Sequence, residues 1–240
     1  MAVVAVPVAL VVVLAVEVAI ARRGPMLDGE PLRLDGRIGP LTGTTLRVVW
    51  LGDSTAAGVG VDDPEDALPV VVARELGVAV DLTVLAVSGA RVADVVGEQL
   101  PGVAALDPDV VFVSVGANDV THLTSGENFA DRYRQLVAAL PDEATVVLLG
   151  VPDMGAIPRL AQPLRAAAGF RGRQLDEEVR DVAGEVGAVY VPIARATGPA
   201  FRREPGRMFA ADEYHPSAAG YRLWADAVMT AAPSLAGDTA

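Results

Sequence analysis

No cysteine occurs among the 240 residues. Thiol nucleophiles, disulfides, iron–sulfur clusters and cysteine-ligated zinc are excluded by that alone. The redox compartment is not decided, because a cysteine-free chain is compatible with either side of a membrane. Lysine is absent too, and all 19 basic residues are arginine. A P-loop lysine and a Schiff-base lysine are therefore excluded, and with them the usual nucleoside-triphosphate and pyridoxal chemistries. Histidine is scarce, with only His122 and His215. Two-metal phosphoesterase sites usually draw several histidines, so Asp53, Asn118, Asp119, Asp212 and His215 make a poor metal set. Aromatic residues make up 5% of the chain against 52% for all apolar types, so the core is built from Val, Ala and Leu. The net charge is −12 and no basic run occurs, which argues against nucleic acid or anionic phosphates as the main partner. Neither a cofactor nor a metal is expected.

The chain opens on an apolar run, residues 2–21, interrupted only by Glu17 and closed by Arg22-Arg23. As a helix it would be about 30 Å long, the thickness of a bilayer core. No basic stretch precedes it and no small-x-small cleavage site follows, so a retained membrane helix over residues 1–23 is expected rather than a cleaved signal. The arginine pair favours a cytoplasmic location for the chain that follows, but the bacterial-like composition does not decide the side. The plain alternative is an apolar helix packed on the domain. Residues 24–44, with several Gly, Pro and Asp, read as a linker. Residues 45–233 are expected to form one domain and 234–240 a tail.

Within the domain, apolar runs alternate with amphipathic stretches. Strands are expected over 48–51, 78–87, 109–115, 144–150 and 188–191, and helices over 64–77, 91–100, 127–140, 172–187 and 217–231. This alternation predicts a three-layer α/β/α sandwich with a central, mostly parallel five-stranded sheet. Right-handed crossovers then bring the carboxyl ends of the strands to one edge, where ligands sit in such sheets.

Four short sequences fall on that edge. Gly52-Asp53-Ser54 ends the first strand, Gly89 follows the second, and Gly116-Ala117-Asn118-Asp119 closes the third. Asp212-Glu213-Tyr214-His215-Pro216 leads into the last helix. In order and spacing they resemble the four motif blocks of the SGNH (GDSL-type) hydrolase family, whose fold is flavodoxin-like. The resemblance covers most of the domain, from residue 46 to the final helix. It departs at Glu213, where many relatives carry glycine.

The resemblance implies a serine esterase. Ser54 would attack the ester carbonyl, His215 would take its proton, and Asp212 would hold the imidazole. The backbone N–H groups of Ser54 and Gly89 and the amide of Asn118 would receive the negative charge on the carbonyl oxygen. Taken singly, each residue has a plainer role: Ser54 as a helix cap, Gly89 as a strand end, Asn118 as a turn residue, Asp212 as a solvated acid and His215 as a helix-start residue. Asp53 and Asp119 are expected to organise turns, Thr55 to start a helix and His122 to be an ordinary loop residue. Residues 151–170, with three prolines, either overhang the serine as an acyl pocket or lid, or pack downward as a surface connection.

The expected substrate is a small-molecule, lipid or sugar ester. An acyltransferase passing the acyl group to a sugar or lipid hydroxyl would use the same site and is the main alternative. A non-enzymatic nucleotide binder is disfavoured, because Gly58-Val59-Gly60 lacks the later glycine of a dinucleotide fingerprint. The sequence does not speak to oligomeric state.

Overall fold

A computed structural model describes residues 16, 17, 19, 20, 27 and 31–236. Its centre is a six-stranded sheet of β1 (Gly36–Ile38), β2 (Thr45–Gly52), β3 (Ala79–Val84), β4 (Val110–Ser114), β5 (Thr145–Leu149) and β6 (Val189–Val191). The strand order is β1-β3-β2-β4-β5-β6, and every pairing from β3 to β6 is parallel. β4 is buried along its whole length, as expected of an apolar strand covered on both faces. Its Phe112 stacks on Trp50 of β2 with ring centroids 4.5 Å apart.

The main helices are α1 (Leu68–Glu75), α2 (Ala117–Thr121), α3 (Gly126–Ala138), α4 (Leu164–Val186), α5 (Ile193–Arg203) and α6 (Ala218–Ala231). α1 packs with α6 and α3 with α4, and these pairs flank the sheet. Ser125 and Ser217 cap α3 and α6, their hydroxyls accepting from the N–H groups of Asn128 and Gly220.

Three features differ from the sequence expectation. The sheet has six strands rather than five, because β1, inside the stretch expected as linker, pairs antiparallel with β3. Three residues in a Gly- and Asp-rich context carry no readable period. α4 begins at Leu164, eight residues before the expected start. Gly169 and Gly172 of this helix lie against Met154–Ala156, which leaves room there only for residues without a side chain. A Cβ on Gly169 would stand 2.9 Å from the Gly155 Cα, and one on Gly172 would stand 3.0 Å from the Met154 Cγ. α5 was not expected at all, since Gly198-Pro199 at its middle hides the helical pattern.

The expected membrane helix is a correction. Among the described residues, no helix is long and apolar enough to cross a membrane. Most of residues 1–23 lie outside the described residues. Those described include Glu17, which is buried, and its Oε2 accepts from the N–H of Leu164 at the start of α4 (2.8 Å). A carboxylate bonded to a helix N-terminus of the domain is satisfied by protein. Apolar character alone could not tell such packing from a bilayer.

Candidate active site

β2 delivers the first group. At Gly52 the backbone takes φ +147, and a Cβ there would stand 2.0 Å from the carbonyl oxygen of Ser114, so only glycine fits the turn. Asp53 N donates to Ser114 O (3.0 Å) as the last rung toward β4. Asp53 Oδ1 then accepts from both the N–H (2.9 Å) and the hydroxyl (2.8 Å) of Thr55, and the Thr55 and Ser114 hydroxyls lie 2.8 Å apart. Between these fixed neighbours sits Ser54, 7% exposed.

A loop before α6 delivers the next two. Phe209 and Pro216 form an isolated bridge, and Ala210 N donates to His215 O (2.8 Å), closing the loop on itself. Asp212 is 2% exposed. Its Oδ1 accepts from the N–H groups of Tyr214 and His215, both at 3.0 Å, and its Oδ2 lies 2.6 Å from His215 Nδ1. Burial works against the ionised carboxyl, but the bonds from the His215 ring, the His215 N–H and the Tyr214 N–H outweigh it and hold Asp212 below its ordinary value. An ionised Asp212 can only accept, so the ring proton sits on Nδ1 and Nε2 is left as an acceptor. Nε2 lies 3.0 Å from Ser54 Oγ, across 161 positions of sequence. Glu213 holds φ +57, the left-handed conformation that explains why glycine suits this position.

The rim after β4 is tied to the loop after β3. Asn118 Nδ2 donates to the carbonyl oxygen of Ala90 (3.0 Å), and Asp119 Oδ2 accepts from the N–H of Val92 (3.0 Å). Asp119, expected as a turn residue, thus joins two loops. Gly89 lies beside this tie at φ +86. His122 is exposed, with Nδ1 2.8 Å from the carbonyl oxygen of Asn118.

Ser54, Asn118 and His215 line one cavity, open to solvent. Its apolar wall comes from Met154 and Ile157 after β5, Phe201 of α5, Phe209 in the loop before α6, and Trp224 of α6. Pro152, Asp153, Met154 and Ile157 therefore face the cavity. Asp153 stands at its edge, paired with Arg202 (2.6 Å). Sequence reasoning missed α5 and the aromatic wall because their contribution exists only after packing. Among the described residues no three His, Asp or Glu side chains are grouped to hold a metal ion.

The sequence profile of the GDSL-like lipase/acylhydrolase family matches residues 50–223, which contain the serine, asparagine, aspartate and histidine just described. The chain belongs to this family. A GDSL-like esterase of Mycobacterium tuberculosis is 38% identical over 192 residues, a match covering 78% of this chain and 61% of that protein. The chain thus spans about 61% of the length of the curated relative it matches. A lipase/acylhydrolase from Enterococcus faecalis shares the fold at a TM-score of 0.66 and 20% identity, with 81% of this chain and 99% of that one covered. The phospholipase A1 from Streptomyces albidoflavus NA297 does so at a TM-score of 0.59 and 22% identity, with 78% and 99% covered. At such identities the two structures show the GDSL-family fold alone.

Asp53, between the strand and the serine of this GDSL-family turn, carries a measurable signature. Burial pushes its carboxyl up to about 6, against the bonds from Thr55 that favour ionisation. Because the folded value lies above the unfolded one, the folded state holds the extra proton between about pH 4 and 6, and this residue's contribution to stability falls as pH rises through that window. In Asp53→Asn the amide oxygen still accepts from Thr55 and nothing titrates. Relative to the unsubstituted protein, the unfolding free energy of D53N should gain about 2 kcal/mol between pH 4 and pH 7. Urea unfolding at the two pH values measures it, and an unchanged difference overturns the assignment.

Proposed function

We propose that the protein is a serine esterase that hydrolyses carboxylic esters through an acyl-enzyme on Ser54. The observation that carries this is the continuous chain from Ser54 Oγ through His215 to Asp212, at 3.0 Å and 2.6 Å, opening on an apolar cavity. Neutral His215 takes the hydroxyl proton as Ser54 Oγ bonds to the ester carbonyl carbon. The carbonyl oxygen, now negative, is received by the N–H groups of Ser54 and Gly89 and by Asn118, whose amide has a second N–H beyond the one given to Ala90. His215 then hands its proton to the departing alkoxide, and the acyl group stays on Ser54. Water repeats the sequence, releasing the acid. Asp212 stays ionised throughout and favours the imidazolium.

The cavity wall of Met154, Ile157, Phe201, Phe209 and Trp224 suits an apolar acyl group more than a sugar hydroxyl face. The acyl-enzyme is common to hydrolysis and to acyl transfer, so the test is a panel of aryl esters of increasing acyl length together with acetylated sugars, run with and without an alcohol acceptor. Release of free acid as the main product, with a preference for simple acyl chains, is the expected result. Dominant formation of the transferred ester would establish the acyltransferase reading instead. Absence of turnover on every ester would remove both.

A further inference from the structure

The two sides of β2 end differently. Toward β4 the ladder runs on through Gly52, paired with Ser114, to Asp53 N. Toward β3 it stops early, because β3 ends at Val84 opposite Trp50. Beyond that the departing chain gives only Leu85 N to Trp50 O (2.9 Å) and Val87 N to Gly52 O (3.1 Å). The buried N–H of Gly52 has no strand carbonyl to meet on this side.

Gln99 supplies one. Gly52 N donates to Gln99 Oε1 (2.8 Å), and Gln99 Nε2 donates to Gly52 O (2.8 Å). The carboxamide does what the peptide of a neighbouring strand would do, offering one acceptor and one donor to the same residue. Gln99 is 4% exposed and is the last residue of a π-helical turn, Val95–Gln99, that continues from Val92–Asp94. Such turns are uncommon and recur at functional sites. Gly52 precedes Ser54 by two residues, and Val87, which shares its carbonyl, precedes Gly89 by two. One residue therefore joins the serine turn, the Gly89 loop and Gln99.

We infer that Gln99 is a positioning residue for the Ser54 reaction, its carboxamide fixing the last peptide of β2 so that Ser54, His215 and the Gly89 loop keep their relative placement. The inference rests on Ser54 being the nucleophile. Gln99 is not among the residues lining the cavity, so its loss should appear in kcat and leave KM nearly unchanged. A role confined to stability would lower the amount of folded enzyme and leave the turnover of each folded molecule alone.

Two variants separate these outcomes, with active sites counted by titration. Gln99→Met keeps the shape and removes both bonds. It should lower kcat for a short aryl ester by about 10- to 100-fold, with KM within about twofold. Gln99→Glu is bond-compatible only when protonated, when the O–H donates to Gly52 O and the carbonyl accepts from Gly52 N. Ionised, it sets a carboxylate oxygen against that carbonyl. The ratio of Q99E to unsubstituted kcat should therefore rise as pH falls from about 8 to 6, by up to about tenfold per pH unit. Q99M turnover within about twofold of the unsubstituted enzyme, or a flat Q99E ratio, overturns the inference. If Q99M does not fold, the Q99E ratio decides. Ser54→Ala in the same assay keeps the two proposals apart. An active S54A removes the nucleophile assignment and Gln99 with it, whereas a dead S54A beside an unimpaired Q99M removes Gln99 alone.

Discussion

Ser54→Ala should lower kcat for a short activated ester by roughly 10⁴- to 10⁶-fold, while the protein stays folded. The two halves of that expectation have separate physical grounds. The hydroxyl is the group proposed to form the acyl bond, and no cysteine exists to stand in for it. Structurally, the substitution deletes one oxygen whose hydrogen bond is to His215 Nε2, a loss on the order of 1 kcal/mol. The Gly52 turn and the Asp53–Thr55 bonds are untouched. Thermal unfolding should stay within a few degrees of the unsubstituted protein. A fluorophosphonate probe should label the unsubstituted chain and fail to label S54A. Turnover or labelling that persists in a folded S54A overturns the acyl-enzyme.

His215→Ala should be almost as damaging, roughly 10⁴- to 10⁶-fold, and combining it with S54A should add almost nothing, because the two act on one proton. Asp212→Asn is the more informative partner. The asparagine oxygen can still accept from the N–H groups of Tyr214 and His215, so the loop holds its shape. Its NH₂ then faces His215 Nδ1 and forces the ring proton to Nε2, where Ser54 needs an acceptor. The expected loss is about 10⁴-fold, through the wrong tautomer rather than through unfolding. Full activity in a folded H215A would exclude His215 as the base.

Much of this site was legible because its members are tied to strand ends. Ser54, Gly89 and Asn118 each follow an apolar run by a few residues, and a parallel sheet sends all such ends to one edge. The Asp212–His215 spacing was readable for a local reason, since three residues suffice for one carboxylate to reach a backbone N–H and a ring of the same loop. Gln99 was not legible. A glutamine in an amphipathic stretch has no local mark, and its partner lies 47 positions away. The aromatic part of the cavity wall was hidden for the same reason, with Phe201, Phe209 and Trp224 coming from separate parts of the chain, whereas Met154 lies in the stretch 151–170 that the sequence offered as one possible pocket. α5 was obscured by a proline that its helix accommodates, and the start of α4 by glycines that a neighbouring segment requires. The first 23 residues misled because hydropathy counts apolar groups without saying what covers them, and Glu17 finds its partner in the protein at Leu164.

By itself the sequence determined the layered, mostly parallel sheet and the residue types that meet at its edge, since strand periodicity and motif order are properties of the chain taken in line. Tertiary structure alone decided the 3.0 Å approach of Ser54 to His215, the shape and lining of the cavity, and the carboxamide that completes β2. Those depend on which surfaces pack together and on what each buried donor must find, and neither is written in the local order of residues.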